Sequence, residues 1–285
     1  MDAVDRHRTP LLLTAVWLVV VTVVARRALP DGPVTSVLAL GPLVAVLLMA
    51  LVLAVGLRRR HPDPGPARRV HSPVRGRWQA LNSPATKVPS HGTRAYGQAY
   101  AIDLVHEPAD GDRPVFASGA TMRPNDDYPA FGQPVLAMVD GVVVTASDGL
   151  RDHRARSSWL GFAYLTLEGA VRELGGPRFI VGNHVVIRSD DGAFALVAHL
   201  RRGSVRVRPG DRVRAGEQVA ECGNSGNSSE PHVHAQLMDR PSPWTGQGLP
   251  MEFRDVAIEG HAASDGVPAD GETMVAGGSG VAAGS

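Results

Sequence analysis

Cysteine, lysine and aromatic residues are all scarce in this chain: one cysteine, Cys222, one lysine, Lys87, and 5% aromatics in 285 residues. A lone cysteine cannot close an internal disulfide and says nothing about the redox compartment. Cys222 reads as a small buried apolar side chain. Net charge is nearly absent too, with 29 basic against 28 acidic residues giving +1. No basic arm or stripe is present, which excludes the electrostatic footprint of a nucleic-acid binder. What remains is ordinary for a folded protein: 44% hydrophobic and 20% charged residues, enough for a packed core in one or two domains.

The first 60 residues differ in kind from the rest. The run "TPLLLTAVWLVVVTVVA" fills the space between Arg8 and Arg26, and "GPVTSVLALGPLVAVLLMALVLAVGL" the space between Asp31 and Arg58. A helix needs about 20 apolar residues to cross the hydrocarbon core, so the second run suffices and the first is marginal. Residues 1–60 are therefore expected to be a two-helix membrane hairpin with a tight turn at Leu29-Pro30-Asp31-Gly32-Pro33. A cleaved signal peptide is the competing reading of the first run, but no small-residue cleavage site follows it. The hairpin ends carry Arg6, Arg8, Arg58, Arg59 and Arg60 against Arg26 and Arg27 in the turn, which favours a cytoplasmic C-terminal domain. If only the second run spans, the count mildly favours an external one.

Residues 61–77, rich in Pro and Arg, read as a linker. From 78 to 261 short β-type runs recur between Gly, Pro, Asn and Asp: "AYAIDLV", "PVLAMV", "GVVVTAS", "FIVGNHVVIRS", "AFALVAHL", "HVHAQLM". The stretch 150–178 departs from that pattern and is open between a helix and an inserted loop. Residues 262–285, Gly-, Ala- and Ser-rich, read as a disordered tail. The soluble part is thus expected to be an all-β domain.

Histidines mark the candidate site. His232 and His234, two apart in an apolar run, project to one face of a strand. In "GNHVVIRSDDGAFALVAHL" a two-residue Asp191-Gly192 turn would set His184 opposite His199 on one face. Asp103, inside the apolar "AYAIDLV" strand, is costly to bury unless paired or bound to a metal. Imidazole nitrogens with a carboxylate make a donor set suited to Zn²⁺.

In this order "AYAIDLV", "GQPVLAMVDGVVV", "GNHVVI", "LVAHL" and "VRPGDRVRAGEQVAECGNSGNSSEPHVHAQ" resemble the landmarks of the lysostaphin and LytM-type zinc peptidases, which cleave peptide cross-links of bacterial cell walls. The resemblance covers about residues 88–255. It implies an antiparallel barrel-sandwich or split-barrel peptidase domain. It also implies Zn²⁺ held by Asp103, His234 and one further histidine, with His199 and His232 catalytic. The family's first ligand belongs to an HxxxD motif, and four residues before Asp103 this chain has Ala99. His91, twelve residues before Asp103, and His106, three after, are the alternatives. Gly92 and Gly97 permit the chain to turn back and bring His91 home, whereas an offset of three points His106 to the opposite strand face; His91 is the expected ligand. Asn183 and His184 are expected to orient the ligands or to pack the strand.

The resemblance implies a membrane-anchored metallo-endopeptidase acting on peptidoglycan through a Zn-activated water. The chain lacks HExxH, so the helix-borne glutamate base of the thermolysin type is not available. A catalytically inactive envelope scaffold, or an activator of a cell-wall amidase, is the competing reading. A biotinyl or lipoyl carrier barrel, suggested by "SVRVRPGDRVRAGEQVAECG", would need a lysine that Lys87 does not supply. Cross-linked wall peptide lies outside the membrane, so the domain is expected on the outer face against the arginine count of a hairpin.

Overall fold

A computed structural model describes residues 7–30, 32–57, 65–108 and 113–277. Two compact units divide the chain, residues 1–63 and 64–285. In the first, helices α1 (Arg8–Ala28), α2 (Pro33–Leu38) and α3 (Gly41–Leu57) follow one another. Pro33 stands at the first position of α2, where its missing N–H costs nothing. Segments Thr9–Ala28 and Pro33–Ala54 are long and apolar enough to cross a membrane, a property that a signal sequence shares. Most of their apolar side chains face outward, among them Leu43, Leu47 and Leu53. Arg6 and Arg58–Arg60, which weigh in the orientation count, lie outside the described residues, as does Asp31 of the turn.

The second unit is mostly β-sheet. Its strands are β1 (Arg68–Val70), β2 (Gly76–Leu81), β3 (Ile102–His106), β4 (Met122–Arg123), β5 (Pro134–Leu136), β6 (Gly141–Ser147), β7 (Ala155–Arg156), β8 (His184–Ser189), β9 (Phe194–Ala198), β10 (Arg212–Val213), β11 (Gln218–Glu221), β12 (Val233–Met238), β13 (Gly248–Leu249), β14 (Met251–Ile258), β15 (Ser264–Gly266) and β16 (Thr273–Ala276). Twelve of them form one sheet with the order β1-β14-β16-β2-β3-β12-β9-β8-β6-β10, β13 adding to β12 and β15 to β14. Pairs β5–β11 and β4–β7 stand apart as small sheets. All described pairings are antiparallel except β1–β14. Among the described residues the large sheet is open, ending at β1 and β10; the all-β character expected of the domain is there, and the sheet does not close into a barrel.

Alternation along the strands separates two faces. Ile102 and Leu104, Val185 and Ile187, Ala195 and Val197, and Val233, Ala235 and Leu237 point into the main core with Trp78 and Phe253. The intervening residues of β8, β9 and β12 turn to the other face, where Val186, Leu196, Ala198 and Met238 pack with Val181. The candidate site lies on this second face.

Three expectations need correction. The 61–77 linker contains β1 and the start of β2, so folded structure begins at Arg68. The 262–285 tail is not disordered through 277: β15 and β16 lie within it, and β16 fills the gap between β14 and β2 with Met274 fully buried. Residues 278–285 lie outside the described residues. The turn after β8 is also one residue longer than expected. Arg188 pairs with Phe194 and Val185 with Val197, so Asp190-Asp191-Gly192 form a three-residue loop closed by Ser189 N–H to Ala193 O at 2.8 Å. Gly192, at φ +84°, takes the left-handed position that such loops require. This one-residue shift separates His184 from His199.

The open stretch 150–178 resolves into β7 and helices α4 (Trp159–Leu174) and α5 (Pro177–Val181). Ser158 caps α4 by accepting from Gly161 N–H. The helix leaves Trp159, Leu160, Leu167 and Val171 exposed.

Candidate metal centre

One row across the large sheet builds the centre. Leu81, Asp103, His234 and Ala198 are successive register partners on β2, β3, β12 and β9. Opposed residues stand about 5 Å apart at Cβ, so Asp103 and His234 meet by register alone. Asn82 and His199 lie one residue beyond the row, each just past the end of its strand and each in the left-handed region, at φ 48° and 60°. A histidine in that region is strained. His199 is held by its N–H to Val181 O at 3.1 Å and by Gly223 N–H to its carbonyl at 3.1 Å.

His91 arrives by a fold-back. Residues 95–100 form a kinked 3-10 segment in which Tyr96 (φ 59°) and Gly97 (φ 73°) are both left-handed. Ser90 N–H then donates to the carbonyl of Ala99 at 3.0 Å. The chain next to His91 is therefore pinned beside position 99, four residues before Asp103, and the imidazole reaches the aspartate. His106 is not brought there: its ring packs edge-on against Trp78 at 4.9 Å.

The contacts converge on Asp103. His91 Nε2 lies 3.0 Å from Oδ2, His234 Nδ1 2.8 Å from Oδ1, and His232 Nε2 3.5 Å from Oδ1. Asn82 Nδ2 donates to Oδ2 at 2.9 Å. Burial disfavours charge on Asp103, but the neighbouring His91 and His232 outweigh it and hold its carboxyl well below the ordinary range.

The outer hydrogen bonds of the two flanking histidines show what this cluster suits. Gln236 Nε2 donates to Tyr96 O at 2.9 Å, which turns Gln236 Oε1 toward His234 Nε2 at 2.8 Å. An amide oxygen only accepts, so Nε2 carries a proton and Nδ1 is the nitrogen that faces Asp103. At His91, Ser90 Oγ donates to Gln98 O at 3.2 Å and accepts from Nδ1 at 3.0 Å, so Nε2 is the nitrogen that faces Asp103. Two imidazole nitrogens converging on one carboxylate make a donor set suited to a divalent cation. The ligand atoms of His91, Asp103 and His234 lie within 4.8 Å of one another. Ligand bonds of about 2.0–2.2 Å make that spacing closable on one zinc by small side-chain rotations. The residues present therefore fit a Zn²⁺ ion.

His199 and His232 sit beside this trio, with ring centroids 4.8 Å apart. His199 Nδ1 donates to Ser225 O at 2.8 Å and His232 Nδ1 to Glu230 O at 2.8 Å, so on each ring Nε2 is the nitrogen left to face the cluster. Burial, then His232 and His234, push His199 well below the ordinary imidazole value. Burial opposes protonation of His232 as well, but the charge and hydrogen bond of Asp103 overcome it and raise its pKa. Like-shaped rings with opposite shifts are the arrangement expected of a base and a donor.

Of the two expected supporting residues, one serves. Asn183 is fully buried; its side chain accepts from Leu150 N–H and donates to the carbonyls of Leu150 and Leu200. Its own N–H donates to Ser225 Oγ, which steadies the residue that receives His199. His184 does not: it binds Gly182 O through Nδ1 and lines a separate cavity of about 590 Å³ with Arg178, Arg188 and Phe194. Sequence reasoning missed Asn82, Ser90, Ser225 and Gln236. Only Gln236 carried a signal, a polar residue continuing the two-residue period of His232 and His234.

A cleft of about 500 Å³ opens onto the cluster. Phe162, Leu165, Thr166, Gly169 and Glu173 of α4 form one wall, and Glu173 accepts a hydrogen bond from Tyr96 Oη at 2.9 Å.

The family model of peptidase family M23 matches residues 164–246. Among solved structures, the catalytic domain of lysostaphin from Staphylococcus simulans is similar at 21% identity, over 52% of this chain and 74% of that one, with a TM-score of 0.31. Lysostaphin itself gives 20%, 55%, 45% and 0.32, so this chain spans less than half of its length. A zinc-containing peptidase from Vibrio cholerae gives 17%, 53%, 50% and 0.26. These structural likenesses are too distant to bear on function. The family match is of another kind, since it takes in His199, His232 and His234 within the motifs quoted above. Residues 164–246 thus match peptidase family M23, the lysostaphin and LytM type that the chain's motifs resemble.

Proposed function

We propose that the chain is a zinc metallo-endopeptidase that hydrolyses peptide cross-links of bacterial peptidoglycan and is anchored to a membrane by α1 and α3. The observation that carries this reading is the convergence of His91 Nε2 and His234 Nδ1 on the Asp103 carboxylate, at 3.0 and 2.8 Å, beside two further imidazoles. His91, Asp103 and His234 would hold the ion. When bound, Zn²⁺ supplies Lewis acidity and a water of lowered pKa.

The chain's own groups do the rest. His199 Nε2, kept unprotonated by burial and by its histidine neighbours, accepts the proton of the attacking water. His232, its pKa raised by Asp103, donates from Nε2 to the oxyanion that develops on the substrate carbonyl. The wall from α4 confines the peptide and limits water. The M23 match over residues 164–246 supports a peptidase; the peptidoglycan substrate follows from what the resemblance implies.

The test is elemental analysis of the full chain in detergent, beside His91→Ala and His106→Ala, followed by digestion of purified wall. One zinc per chain, lost in His91→Ala and retained in His106→Ala, with release of wall peptides only by the zinc-bearing forms, is expected. Stoichiometric zinc without wall cleavage would point to an inactive scaffold instead.

A further inference from the structure

Resting on the zinc reading of this site, we infer that Gln236 is a positioning residue that selects the zinc-ready form of His234. It is 1% exposed and follows His232 and His234 on the same face of β12. Its amide cannot flip without loss. Nε2 donates to Tyr96 O, a group that only accepts, and Oε1 is thereby committed to the His234 Nε2–H. The proton is kept on the outer nitrogen, and the inner one, Nδ1, is the nitrogen that faces Asp103 and would meet the ion.

The backbone is arranged to hold this orientation. Tyr96 is left-handed at φ 59°, an unfavourable state for a tyrosine, and so is Gly97 at φ 73°. Together they aim the Tyr96 carbonyl into the sheet. A Cβ on Gly97 would stand 2.8 Å from Met238 Cγ and 3.2 Å from Gln236 Nε2, so a glycine is what lets the loop approach. The Tyr96 hydroxyl, bound to Glu173, fixes the same loop from the α4 side. The same loop that returns His91 to the centre thus also orients the second histidine, through one glutamine.

Two substitutions separate this role from simple packing. Gln236→Met removes the acceptor. Gln236→Glu keeps an acceptor for His234 Nε2–H but loses the donor to Tyr96 O. Zinc affinity of the full chain in detergent would be read by competition with a chromophoric chelator. Gln236→Met is expected to bind zinc 10- to 100-fold more weakly, and Gln236→Glu within a few-fold of the parent. Imidazole ¹⁵N spectra of the zinc-loaded parent, which need no variant to fold, are expected to show His234 protonated at Nε2. Parent-like affinity in Gln236→Met, a loss in Gln236→Glu as large as in Gln236→Met, or a His234 protonated at Nδ1 would each overturn the inference while leaving the zinc site standing. A parent chain that binds no zinc would overturn both.

Discussion

At the scale of single residues, burial decides protonation at histidines outside the candidate metal centre, where no opposing charge outweighs it. His184 is 6% exposed, and desolvation, aided by Arg178, holds it below the ordinary 6.5 against the help of its Gly182 hydrogen bond. The unfolded chain takes up a proton there near pH 6.5 while the folded one refuses it. Stability contributed by neutral His184 is therefore full above pH 6.5 and lost as pH falls toward the depressed value, by up to about 1.4 kcal/mol per pH unit. His153, buried against Gly226 O, is depressed by desolvation in the same direction. Urea midpoints of residues 65–277 at pH 7 and pH 5 are expected to show a smaller acid loss in His184→Leu than in the parent. Equal losses in the two would show that His184 is not buried neutral. Residue identity also explains what was legible beforehand. HxH in a strand and an aspartate in an apolar run announce themselves through period and cost, whereas Asn82 and Ser90 act from loops, where no spacing rule points at them. His184 misled because a two-residue turn was assumed, and the extra residue in the loop shifts every partner by one.

Among the elements, the two that composition concealed are β1 and β16. Arginine and proline around 61–77 look like linker, and glycine and alanine after 262 look like a disordered tail, yet each stretch carries a few residues that complete a ladder. Strand β16 pairs on both sides, Met274 with Trp78 and with Ile258. Its removal would expose two strand edges and uncover Trp78, Phe253 and Val256, which share its cluster. A chain ending at residue 277 is expected to unfold cooperatively, and one ending at 262 to lose that transition in circular dichroism and to aggregate. If the shorter chain melts like the longer one, β16 is dispensable and the tail reading stands. The helical pair and the strand-rich body were legible because long apolar runs and period-two runs are strong signals. Helix α4 was ambiguous because its apolar residues do not all face inward: Trp159, Leu160, Leu167 and Val171 are exposed while Leu165 is buried.

For the whole molecule, the open question of sidedness is a question about substrate. Peptide cross-links exist only beyond the membrane, so the proposed activity requires the second unit outside, although a hairpin with arginine-rich ends favours the inside. External protease applied to intact cells is expected to degrade the second unit. Its survival until the cells are lysed would place it within and remove peptidoglycan as its substrate. The order of strands adds a statement about time. Gly76 pairs with Ala276, 200 positions later, and Asp103 with His234, 131 later. During synthesis β2 and β3 emerge long before either partner exists, and such distant closures are slow to form. Nothing at residue 103 can share an ion with residue 234 until nearly the whole body has left the ribosome. On the proposed function a nascent chain is thus inert by construction, and any capacity to cut arises late, after the N-terminal helices have emerged.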